Sequence, residues 1–347
     1  MPTSSLSIIL AELPKLRAYE VNYVAKAVED QSMAITTVTS VSDEIKEKRF
    51  TKGVFCPHCS SKHTVRNGKA QGKQRYLCKD CGKSFGDFTN STLSGTKSSY
   101  DKWFSYMKCM VKGYSLRQTA AVVGISLSTA FCWRHKILKA LGNTFQQEQL
   151  AGVIEADETF FLESFKGNHN RSSVFTMPRP ARKRGGKATR RGISVEQVCV
   201  TCAIDRAGHI LSIPACKGRV DAKTLDKVYA PRMDKSAVLC TDKHRSYVQF
   251  AKGLGIKLVQ LKNGKAKQGL YHIQHINSYH SNLKGWLYRF KGLSTKRLLH
   301  YLYWFQWLKQ CKELKEVEKA KQLFEATILI TNNCIAQTLW HEKMLFS

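Results

Sequence analysis

Four cysteines stand in two CxxC pairs: CPHC at 56–59, then eighteen residues, then CKDC at 78–81. Each pair puts two thiolates on one tight knuckle, and two knuckles close a tetrahedron around Zn²⁺. The expected ligands are Cys56, Cys59, Cys78 and Cys81, with His58 inside the first knuckle and not a ligand. Gly82, Tyr76, Phe85 and Phe88 fit the small hairpins of a zinc ribbon, and Lys73, Arg75 and Lys79 favour DNA as what it touches. A further CxxC, Cys199 and Cys202, lies in the β-like run VCVTCAI. There i and i+3 fall on opposite strand faces, so these two thiols are read as core packing. A second kind of chemistry comes from acids in apolar surroundings. In GVIEADETFF, alternation places Val153, Glu155, Asp157 and Thr159 on one face and Ile154, Ala156, Glu158 and Phe160 on the other. The run AVLCTD ends in Asp242. Carboxylates at the ends of neighbouring strands can share divalent cations, and two Mg²⁺ ions about 3.5–4 Å apart can hold both oxygens of an in-line phosphoryl transfer. Taken singly, each acid could equally be a cap or a surface charge.

These residues need elements to hold them. Residues 1–50 read as a helical segment without nameable chemistry, 51–90 as the ribbon, and 98–148 as helical. From Gly152 the texture becomes β-rich: GVIEADETFF, VCVTCAIDRAGHILSI, SAVLCTDKHRSY and IKLVQL, with the helical pattern DAKTLDKVYAPRM between the second and third. This makes 150–312 an α/β unit, and 313–347 a C-terminal helical segment. Within the unit, 166–194 form a basic loop: Lys166 to Arg191 holds nine Lys or Arg, no acid and two prolines. Such a stretch cannot bury a core, and Arg182, Lys183 and Arg184 are candidates for phosphate contact.

Ser115 to Lys136 fits two short helices around a turn. Ser115 with Gln118 makes a capping box, Gly124 the turn, Ile125 the buried contact and Ser126 the second cap. As a helix-turn-helix, its DNA-facing residues would be Arg117, Ser128, Thr129, Arg134 and His135. An ordinary helical hairpin is the other reading.

GVIEADETFF, LCTDKHRSY and HINSYHSNLKGWLYRFKGLSTKRLLHYLYWF resemble the three blocks of bacterial insertion-sequence transposases of the DDE superfamily, in the branch with an N-terminal zinc ribbon. The resemblance covers roughly residues 50–312. It implies a ribonuclease-H-like catalytic core, with Asp157 as first catalytic acid and Asp242 as second. Asn277, after 34 intervening residues, falls where most members carry Glu. From Lys243 to Lys312 there is no Asp or Glu and there are fourteen Lys or Arg, so the site is written Asp–Asp–Asn. An amide oxygen can ligate a hard cation without charge. Asn277 can also be a plain helix cap, and Glu155 is a further acid that could supplement the metal set. Asn277, Ser281, Lys284 and Tyr288 form one polar helical stripe, and Ile276, His280, Leu283, Leu287 and Phe290 a mainly apolar one. Lys284 matches the family's basic residue, placed to hold a scissile or flanking phosphate as well as to touch DNA.

The bulk composition agrees. The chain has 347 residues, 56 Lys and Arg against 26 Asp and Glu, and a net charge of +30, which calls for a polyanion. With 43% hydrophobic residues it is not disordered, and no run of 18 apolar residues offers a membrane span. The start does not read as a secretory signal, so a bacterial cytoplasmic, nucleoid-associated protein is expected. The reading is a Zn²⁺- and Mg²⁺-dependent transposase that binds terminal inverted repeats, cleaves DNA and joins its 3′ ends to target, acting as a homodimer or larger assembly. Two alternatives stay open: a DNA-binding regulator with an inactive core, and a nuclease without strand transfer.

Overall fold

The computed structural model describes residues 5–25, 28, 47, 49–51, 53–70, 73–145, 149–167, 176–179, 188–261, 267–329, 339 and 345–346. Arg182, Lys183 and Arg184 lie outside the described residues. After an N-terminal helix α1 (Ser5–Glu12), the first sheet is a small antiparallel one, β1 (Thr64–Ala70), β2 (Lys73–Cys78) and β3 (Ser84–Gly86). Tyr76 stacks on Phe85 across β2 and β3 at 5.3 Å, and Cys56, Cys78 and Phe85 form its own small core.

Three helices follow: α2 (Tyr100–Val111), α3 (Leu116–Val123) and α4 (Leu127–Phe145). The α3 start is a complete capping box, with Gln118 N donating to Ser115 Oγ and Ser115 N to Gln118 Oε1. Its end is set by Gly124 at φ 65°, a left-handed conformation that costs glycine nothing. Ser126 Oγ then accepts from Thr129 N and caps α4. Local capping chemistry therefore fixes the turn between the two helices.

The large sheet has five strands in the order β6-β5-β4-β7-β8. They are β4 (Val153–Leu162), β5 (Gln197–Asp205), β6 (Ile210–Lys217), β7 (Val238–Thr241) and β8 (Lys257–Gln260). The run VCVTCAIDRAGHILSI is thus a hairpin of two strands. β4, β5 and β6 pair antiparallel, while β7 and β8 continue from β4 in parallel. Pro214 is confined to the edge strand β6, where its missing N–H is tolerated. Helices α5 (Ala222–Tyr229) and α6 (Arg245–Leu254) cover one face. The other carries α7 (Gln274–Tyr288), α8 (Leu298–Gln310) and α9 (Glu316–Leu329). Cys199 belongs to the core on the first face and Cys202 to that on the second, as their odd spacing along a strand requires.

One continuous apolar cluster joins α2 and α4 to α7, α8, α9 and the inner face of β5. The C-terminal segment is part of this core: Ala320, Leu323, Phe324 and Ile328 are fully buried, and Phe324 meets Phe104 edge-on at 6.1 Å.

Candidate active site

The four knuckle cysteines converge. Cys56 Sγ lies 3.6 Å from Cys81 Sγ, Cys59 Sγ lies 3.6 Å from Cys78 Sγ, and all four sulfurs are within 4.8 Å of one another. Sulfurs bound at about 2.3 Å in a tetrahedron would be roughly 3.8 Å apart, so the donor set fits Zn²⁺. Backbone N–H groups of Cys81 and Asp80 aimed at the Cys78 thiol pull its pKa down to about 6, which favours the thiolate a metal needs. His58 is not among the clustered donors.

The acids are positioned by strand pairing. β4 and β7 run parallel with Glu155 opposite Cys240, so the register carries Asp242, just past the end of β7, to the level of Asp157. Asp157 is drawn up to about 7, first by burial and then by the charges of Glu158 and Asp242, with Lys284 opposing. Glu158 also rises to about 7, from burial and from Asp242. Its Oε1 is buried without a hydrogen-bond partner. Asp242 thus stands level with Asp157 across the strand pair, and Glu158, on the other face of β4, feels the charge of Asp242. Glu158 had no role in the sequence reading because alternation sends it to the opposite face of β4 from Asp157. The signal was the acid itself, standing in the apolar series Ile154, Ala156, Phe160.

Helix α7 lies along β4. Its first turn meets Glu155: His275 N and Ile276 N donate to Glu155 Oε2 at 2.9 and 3.2 Å. Its second turn meets Asp157, with His280 Nδ1 3.6 Å from Asp157 Oδ2. Burial and then Lys284 push His280 down to about 4, so the imidazole is neutral there at pH 7. Asn277, Ser281, Lys284 and Tyr288 are exposed, while Ile276, His280, Leu283 and Leu287 are buried, which reproduces both expected stripes.

Glu155, the supplementary acid of the sequence reading, is placed apart from Asp157 and Asp242, under the start of α7. Only 1% exposed, it is taken up by the α7 N-terminus and by Arg206 Nη1 at 2.7 Å, His275 Nδ1 at 2.8 Å and His272 Nδ1 at 3.2 Å. Those donors could hold an ion in principle, but the Arg206 guanidinium already supplies the positive charge.

Two expected DNA contacts are corrected. Arg134 is fully buried, donating to Tyr114 O at 2.8 Å and lying 4.9 Å over the Trp304 ring. His135 is buried with its Nδ1 2.8 Å from His300 Nδ1. Arg134 follows buried Ala130 by four residues, one helical turn, so the 3.6 period turns it inward. Arg117 and Ser128 are exposed and Thr129 half-buried.

Residues 149–309 match the family model described as an ISXO2-like transposase domain, and residues 51–82 match that of the InsA N-terminal domain. The chain carries an insertion-sequence transposase domain behind an InsA-type zinc-ribbon domain. A similar protein, from Halobacterium salinarum, is an uncharacterized protein in transposable element ISH50. It is 29% identical over 259 residues, covering 73% of this chain and 84% of that one. Among solved structures, the pre-cleavage Mos1 transpososome covers 70% of this chain and 82% of its own at 11% identity and a TM-score of 0.19. The Mos1 strand transfer complex gives 70%, 81%, 11% and 0.21. Superpositions of that quality say nothing about the site. The transposase matches place the Asp157–Asp242 pair inside the transposase domain and the four cysteines inside the zinc-ribbon domain. Among the described residues of this transposase, no helix is long and apolar enough to cross a membrane.

Proposed function

We propose that this transposase binds the terminal inverted repeats of its element and catalyses Mg²⁺-dependent strand cleavage and strand transfer on a ribonuclease-H-like core. The observation that carries the proposal is the parallel register of β4 and β7, which sets Asp242 level with Asp157 on the neighbouring strand, where burial and the charges of Glu158 and Asp242 raise the Asp157 carboxyl. A partly buried carboxylate beside another acid is costly unless a cation joins them, so the Asp157–Asp242 pair fits Mg²⁺. Asp157, Asp242 and Asn277 would hold it. Asn277 lies on α7 between the turn fixed by Glu155 and the turn fixed by Asp157, on the same exposed stripe as Lys284. The bound cation would polarise phosphoryl oxygens and lower the pKa of an attacking water.

The chain's own groups do the rest. Lys284 offsets the carboxylate charge and is placed to hold a scissile or flanking phosphate. Neutral His280 packs against Asp157 and keeps a second cation out of the pair. The strand order 6-5-4-7-8 with a buried β4 gives the acids a rigid base, so catalysis rests on positioning and charge. For DNA recognition, the zinc ribbon and the α3–α4 helix-turn-helix are the proposed readers, with Arg117, Ser128 and Thr129 at the interface. A homodimer or larger assembly in the cytoplasm follows from the need to join two DNA ends.

The test uses Asp157→Asn and Asp242→Asn in the full chain, assayed with Mg²⁺ on duplexes that carry the element's ends. Cleavage should fall at least a thousandfold with end binding nearly unchanged. Cleavage that survives both changes would leave the regulator with an inactive core.

A further inference from the structure

A second basic site lies on the far flank of α7. Its lower half borders a cavity of about 520 Å³ between the C-terminal end of α2, α7, α8 and the start of α9. Arg289, Lys309, Lys312 and Lys319 line it, together with Trp286 and Gly285. No acidic residue lines it. Glu316, in the first turn of α9, pairs with Lys112 at 3.2 Å, and Glu313 pairs with the lining Lys312 at 3.3 Å.

Two features go beyond surface charge. Trp286 is only 6% exposed, yet its Nε1 has no hydrogen-bond acceptor. It faces Gly113, where an added Cβ would stand 2.8 Å from Arg289 Nη1 and 3.8 Å from Trp286 Nε1. A glycine at φ 70° thus leaves room for a guanidinium beside an unsatisfied indole donor. An unpaired buried donor is costly, and an anion accepted at this point would satisfy it. The second feature is continuity with the active site. Ser281 lies both on the exposed stripe of Lys284 and in the cavity wall. Arg289 follows Lys284 by five residues, about 7.5 Å along the helix axis.

We propose that this cavity is a phosphodiester subsite, which holds the backbone of a DNA strand as it leaves the active site along α7. Arg289 and Lys309 are the principal contacts, with the Trp286 indole N–H as the inner donor. Arginine suits phosphate because its planar fork can donate twice to one group. The inference rests on the reading of the protein as a DNA-cleaving enzyme for what the strand is, but its test reads binding alone.

The experiment measures fluorescence anisotropy of a 30-base-pair duplex with the zinc-loaded full chain from 50 to 200 mM salt. Arg289→Ala/Lys309→Ala should weaken binding ten- to a hundredfold at low salt and reduce the slope of log K against log salt by about 1–2. Gly285→Phe supplies a charge-neutral variant. Its Cβ meets nothing within 4 Å, so the helix accepts it while the ring enters the cavity. It should weaken binding to a similar degree with zinc content and circular dichroism unchanged. Wild-type affinity and slope in the charge variant would overturn the proposal. So would a loss confined to that variant, because the phosphates would then lie outside the cavity. If cleavage is never found but the slopes change as stated, the catalytic reading fails and the subsite stands.

Discussion

Asp157 and Glu158 hold protons that a solvated carboxylate would have lost, because each is withdrawn from water beside other acids. The sign of the resulting pH dependence follows. Unfolded, these groups titrate near about 4; folded, they titrate near 7. Between those values the folded chain binds more protons, so stability is greatest at the acid end and is lost as pH rises through 7. In Mg²⁺-free buffer with zinc retained, the melting temperature should fall from pH 5.5 to 8. Asp157→Asn should flatten that fall and raise stability at pH 8, and added Mg²⁺ should restore the wild type. A melting temperature that climbs over the same interval would refute the account. At this scale the sequence nominated Asp157, Asp242, Asn277 and Lys284 through family motifs. It did not reveal Glu158, because alternation along one strand is blind to a neighbouring strand that stops short. The parallel register of β4 and β7, with β7 ending at Thr241, is what sets Asp242 beside β4.

Helix α7 carries the polar stripe, and its placement depends on Glu155. That carboxylate accepts from two N–H groups of the first turn and pairs with Arg206, which joins the β5–β6 turn to the helix start. Glu155→Ala would strand a guanidinium and two backbone donors, a loss of about 3–5 kcal/mol for a broken buried pair. The melting temperature should drop, cleavage should weaken through misplaced Lys284, and Glu155→Gln should recover part of both because it keeps an acceptor. If Glu155 instead belonged to the metal set, its removal would raise Mg²⁺-free stability as Asp157→Asn does, and thermal melts separate the two. Elements whose signals are local were legible: the Ser115–Gln118 cap, the Gly124 turn, the α7 stripes and the split of Cys199 from Cys202. The facing of α4 was misread at Arg134 and His135, because a helix that enters a core along its whole length buries residues that a short recognition helix would expose.

Across the whole molecule, the large core unites helices α2 and α4, the five-stranded sheet and the C-terminal helix, whereas the zinc ribbon has a small core of its own. Zinc should therefore stabilise the ribbon and not the remainder. Cys56→Ser is expected to lose the zinc, unfold residues 51–90 and weaken DNA binding, while the main thermal transition stays. Retained zinc in that variant would remove the ribbon assignment, and loss of the main transition would show one cooperative unit. Charge, cysteine spacing and strand alternation are properties of the chain read in order. They determined the metal-binding knuckles and the α/β character, and they pointed to a polyanionic partner. The tertiary structure decided which residues meet: Asp157 and Asp242 level on neighbouring strands, Glu155 under a helix 120 residues away, and the basic cavity where four helices leave a gap. Those contacts arise from strand order and helix packing, which join parts of the chain that no local pattern relates.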